Sequence, residues 1–164
     1  MSDYYLPPSL QECEASIDGW LRGFASGNEL YEAIDRGEPG EPEPRWYVRL
    51  RGEEKEHITL WFTLGQRTLR FEVYVLPAPQ ENAAAVYELA LRRNDKLVGA
   101  HFAIGVEDAI FLRGELPLTS LNEAELDRIV GSLYTYVEQS FPAMIRLALP
   151  ARNQFHLHGF HTTS

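Results

Sequence analysis

Three imidazoles fall within six positions near the C-terminal end, at His156, His158 and His161. Histidine is a common ligand for zinc, copper and nickel, so the cluster has the donor type to hold a transition metal. No carboxylate or thiol accompanies it in ARNQFHLHGFHTTS, and an irregular polar-aromatic tail accounts for the same residues. His57 and His101 each stand alone on a strand pattern, where a solvated or hydrogen-bonded imidazole suffices. The chain contains no G-x-S-x-G, H-E-x-x-H, Walker A or G-x-G-x-x-G signature. Glu53, Glu54 and Glu56 gather at a turn, as solvated hairpin tips do. No pair of carboxylates has a reason for the split pKa values that general acid–base work needs. The expectation is therefore no catalytic residue, no metal ligand and no cofactor.

The other candidate chemistry is aromatic. Tyr47, Trp61 and Tyr74 fall on one face of three successive strand patterns, among charges and threonines, and Phe111 can join them from a later strand. Aromatic rings give large contact area at low entropic cost, which is why they recur at recognition surfaces. The alternative is that a helix or loop simply covers them.

The stretch Arg45 to Leu76 must position these rings. RWYVRLR, HITLWFTL and TLRFEVYVL each alternate, which marks half-buried strands. Trp46, Val48, Leu50, Ile58, Leu60, Phe62, Phe71, Val73 and Val75 face the opposite way and need a cover. Turns at Gly52 to Lys55 and at Gly65-Gln66 make the three strands antiparallel neighbours. Before them, Ser9 and Glu12 have capping-box spacing ahead of a helix from about 10 to 25, with Cys13 on its apolar stripe. Residues 29–44 read as a short polar-apolar piece followed by an acidic proline loop without regular structure. After the strands, Asn82 caps a helix to about Arg93, and Asn94 ends it in the left-handed conformation. VGAHFAIG and DAIFLRGEL supply two more strands. Ser120 and Glu123 repeat the capping-box spacing before a last helix, which Pro142 breaks or kinks. The fold class is α+β, in the order α-β-β-β-α-β-β-α, with a five-stranded antiparallel sheet covered by the first and last helices. Residues 1–149 form a single domain and 150–164 an irregular tail.

The apolar arc on the second helix is broad, and Tyr87, Leu89 and Leu91 form a candidate two-fold dimer interface. A formal net charge of −9 without a basic cluster argues against nucleic acid and against anionic membrane surfaces. It also makes an apolar or basic peptide the expected ligand. A single cysteine, no long apolar run and no signal-peptide pattern point to a reducing cytoplasm.

The ordered set of segments resembles the YbjN-domain family of actinobacterial type, within a fold similar to that of type III secretion chaperones. RWYVRLRGEEKEHITLWFTLGQRTLRFEVYVL resembles the opening meander. ENAAAVYELALRRNDKLVGAHFAIGVEDAIFLRGELPL resembles the helix ending in a Leu91-x-x-Asn94 step, then a hairpin closed by Leu116-Pro117-Leu118. Leu121 to Leu149, with SFPAMI, resembles the final helix. The resemblance implies no catalytic residues. It implies a peptide- or protein-binding chaperone or regulator. The alternative of another class is a metal-dependent sensor or enzyme using the histidine tail.

Overall fold

The alternation over residues 45–76 folds as a meander of β2 (Arg45–Arg51), β3 (His57–Leu64) and β4 (Thr68–Leu76). In this computed structural model, which describes residues 8–38 and 40–150, a strand precedes the meander: β1 (Tyr31–Arg36). Helix α1 (Leu10–Ala25) comes before it. Helix α2 (Ala83–Asn94), strands β5 (His101–Ile104) and β6 (Ile110–Pro117), and helix α3 (Glu123–Ala148) follow. The sheet has six strands in the order β1-β2-β3-β4-β6-β5, every neighbour antiparallel.

The nine residues from Trp46 to Val75 named above are all buried on one face. Cys13, Ile17 and Leu21 of α1, Val86 and Ala90 of α2, and the apolar stripe of α3 join them in one core cluster. All three helices thus lie on the same side of the sheet. Among the described residues, that arrangement leaves the opposite face without a helical cover.

Several local expectations are corrected. The sheet has six strands, not five, because YEAIDR is paired with β2; a register shift between Tyr31 and Ala33 breaks the alternation that would have marked it. The β3–β4 turn is closed by the Gly65 N–H donating to the Thr68 carbonyl at 3.0 Å, so Gln66 and Arg67 are the turn residues. Asn82 does sit at the start of α2, but in the left-handed region, and its amide donates to the Leu147 carbonyl at 3.0 Å instead of capping. Asn94 remains helical and turns its side chain to β5. The cap of α3 is Asn122, accepting from Glu125 N at 2.8 Å, while Ser120 ends a single 3-10 turn. Pro142 lies inside α3, which runs on to Ala148. Phe141, Met144, Ile145 and Ala148 are buried around it, and that packing offsets the roughly 3 kcal/mol an interior proline costs. The capping box at Ser9 and Glu12 forms as the spacing requires.

Candidate binding face

The uncovered face is built by register. Asp35, Tyr47, Trp61, Glu72, Arg113 and His101 are successive cross-strand partners, one from each strand, and so form a single row across the sheet. Tyr74 and Phe111 pair in the next row, and Arg45, Thr63, Arg70 and Glu115 in the row on the other side. Same-face neighbours at this spacing make one continuous surface.

Trp61 is the exposed centre of that surface, 37 % accessible. Its ring meets Tyr47 edge-on, with centroids 5.9 Å apart. Tyr74 and Phe111 form a second edge-on pair at 5.6 Å. Phe111 is only 3 % accessible although it stands outside the core cluster. The Arg113 guanidinium lies 4.6 Å from its ring, and the turn at Gly105 closes over it. A Cβ on Gly105 would run into the Phe111 ring and come within 2.7 Å of the Arg113 guanidinium, so the close approach requires glycine. A loop therefore covers Phe111, while Tyr47 and Tyr74 are half-buried and Trp61 is open.

Charges frame the rings. Arg113 Nε donates to Glu72 Oε2 at 2.8 Å, and Arg70 to Glu43 Oε1 at 2.8 Å. Arg49 pairs with Glu32 at 3.0 Å. A hollow of about 690 Å³ opens between Arg45, Tyr47, Trp61, Arg70, His101 and Glu115. A second, of about 310 Å³, lies on the other side of Trp61 against Tyr74, Pro77, Val106 and Glu107. Val106 is 72 % accessible at its rim. Burial, then the Glu107 carboxylate, push the Tyr74 phenol up, so it is a neutral hydroxyl at physiological pH.

At one end of the sheet, Glu138 of α3 accepts from the backbone N–H groups of Glu53, Glu54 and Lys55 at 3.0, 2.8 and 3.4 Å. This fixes the β2–β3 turn. Lys55 then lies 5.4 Å from the Phe141 ring and 5.9 Å from the Tyr74 ring, and burial lowers its pKa against the opposing pull of Glu138. No local pattern signals the Glu138 contact, which joins residues 85 apart.

Of the candidate dimer residues, Tyr87 and Leu89 are half-buried against the core and Leu91 is 69 % accessible. The histidines at 156, 158 and 161 lie outside the described residues. Among the described residues no group of three or more histidine, cysteine, aspartate or glutamate side chains is placed to hold a metal. His57 Nδ1 is 3.0 Å from Glu32 Oε2. No helix among the described residues is long and apolar enough to cross a membrane.

A family model named YbjN, described as "Putative bacterial sensory transduction regulator", matches residues 28–146. The chain belongs to the YbjN family. Uncharacterized proteins of Mycobacterium bovis and Mycobacterium tuberculosis are 33 % identical over 109 residues, 66 % of this chain and 60 % of theirs. One of Mycobacterium leprae is 29 % identical over 103 residues, 63 % of this chain and 56 % of its own. The match therefore spans about three-fifths of the length of these YbjN relatives. Among solved structures, a chain of the heterodimeric complex ExoU-SpcU from the type III secretion system of Pseudomonas aeruginosa is similar in fold. Its TM-score is 0.46 at 19 % identity, covering 77 % of this chain and 95 % of that one.

Proposed function

We propose that this YbjN protein is a non-enzymatic binding module, chaperone- or regulator-like, that holds a segment of another polypeptide on the outer face of its sheet. The observation that carries the reading is Trp61, an open indole at the centre of a face that no helix among the described residues covers, with Tyr47 and Tyr74 beside it. A large ring flanked by half-buried aromatics and fixed charges is the composition of an anchor site. The hollow of about 690 Å³ beside it is of the size that small recognition sites have. The cytoplasm is the proposed compartment, in keeping with a single, buried cysteine. Homodimerisation through α2, with Leu91 at the centre of the contact, is a separate part of the proposal.

The test is affinity capture from the source cells, run in parallel with wild type and Trp61→Ala. Proteins retained by the first and lost by the folded second are clients. A client set identical in both would reject the outer face as the site.

A further inference from the structure

The strand positions of the outer face carry more arginines than carboxylates, and carboxylates from its margin, Glu107 beside Tyr74 among them, make up the balance. The protein carries a formal net charge of −9. Yet the strand positions that share the Trp61 face present Arg45, Arg49, Arg51, Arg70 and Arg113. The acidic residues on the same strand positions are Asp35, Glu72 and Glu115. Further carboxylates reach the face from its margin. Glu32 of the edge strand pairs with Arg49 at 3.0 Å. Glu41 and Glu43, in the acidic proline loop after β1, reach Arg45 at 3.9 Å and Arg70 at 2.8 Å.

Resting on the binding reading above, we infer that the face reads acidic, aromatic polypeptide segments, and that the loop carrying Glu41 and Glu43 is an internal stand-in for them. The loop already places carboxylates on the two arginines that flank Thr63, in the row next to that of Trp61. A bound segment that lays an aromatic side chain on Trp61 brings its own carboxylates to the same guanidinium groups. The exchange is cheap in either direction. The Arg70–Glu43 pair is exposed to solvent, by 53 % and 43 % of the two side chains, while Glu41 is half-buried beside Arg45. Exposed pairs of this kind hold little net free energy, so a second carboxylate in the same place competes on nearly equal terms. The local arginines, not the global charge, set the preference, because the charges act at contact distance while the rest of the chain is screened. Proline in the loop limits how far it must reorder on release.

The experiment uses three fluorescein-labelled nine-residue peptides. Each has two phenylalanines in a serine background, and they differ only at three positions, which are all glutamate, all glutamine or all lysine. Binding is read by anisotropy at low salt with wild type, Arg70→Gln, Glu43→Gln and Trp61→Ala, each checked by circular dichroism. The expected result is tightest binding of the glutamate peptide. Arg70→Gln weakens it, Glu43→Gln strengthens it by up to about fivefold, and added salt weakens it. Equal binding of all three peptides, or a preference for lysine, that is lost in Trp61→Ala overturns the charge inference and leaves the binding reading standing. No binding of any peptide, or binding untouched by Trp61→Ala, overturns the binding reading itself.

Discussion

The side-chain amide of Asn94 pairs with both backbone groups of Phe102. The Phe102 N–H donates to Asn94 Oδ1 at 2.6 Å, and Asn94 Nδ2 donates to the Phe102 carbonyl at 3.2 Å. Phe102 lies on β5, the last strand of the sheet, so this residue of α2 occupies hydrogen-bonding groups that a further strand would otherwise claim. Asn94→Ala should therefore lower stability by about 1–3 kcal/mol, through two lost hydrogen bonds to half-buried groups. It should also promote self-association at the opened edge. Urea denaturation and size-exclusion chromatography read the two effects; a variant as stable and as dispersed as wild type would remove the edge role.

The turn between β2 and β3 depends on Gly52 and Glu138 together. A Cβ on Gly52 would run into the Lys55 carbonyl and come within 2.6 Å of Glu138 Oε1. Gly52→Ala should destabilise the fold by about 2 kcal/mol or more, the cost of displacing backbone at a close approach. Glu138→Ala, which leaves three backbone donors to water, should cost about 1–2 kcal/mol. The double variant should lose less than the sum, because both act on one contact.

Tyr31, like Tyr74 and Tyr134, has its phenol pushed up by burial. Burial, with Asp127 adding to it, pushes its phenol up to about 12 from 10.0. The folded state thus keeps the proton after the unfolded chain has released it. Its contribution is complete below pH 10 and is lost as pH rises from 10 to about 12, where the unfolded state binds fewer protons. Lys55 has the opposite sign, since burial lowers its pKa: folding gains stability as pH rises from its depressed value towards 10.5. Denaturant titrations at pH 9.5 and 11.5 should show a fall that is shallower in Tyr31→Phe by at most about 2 kcal/mol. Equal slopes in the two proteins would contradict the assignment.

The α2 interface predicts a concentration-dependent mass. Light scattering should rise above 18.7 kDa at high protein concentration, and Leu91→Glu should return it to that value without loss of fold. A wild-type mass that stays at 18.7 kDa counts against the dimer.

What could be read from the residues, and what could not, follows from range. Alternation in RWYVRLR, HITLWFTL and TLRFEVYVL is a local property, so these strands and their buried face were legible from the residues. The Ser9–Glu12 box is local too. β1 hid because a register shift interrupts a short polar segment. Pro142 does not end α3 because tertiary packing outweighs a propensity that acts on one turn. On the outer face, the shared side of Tyr47, Trp61 and Tyr74 was legible, but not the burial of Phe111. That depends on Gly105 and Arg113 meeting over its ring. The pairing of Glu43 with Arg70 depends on how a proline loop returns to the sheet, for which no sequence period exists.

The central claim is that Trp61 anchors a bound polypeptide. The most direct measurement is titration of a client recovered by differential capture against wild type and Trp61→Ala, with circular dichroism of both. The account predicts unchanged secondary structure and an affinity weaker by about 1 kcal/mol or more, roughly fivefold. An unchanged affinity in a folded Trp61→Ala protein would contradict it.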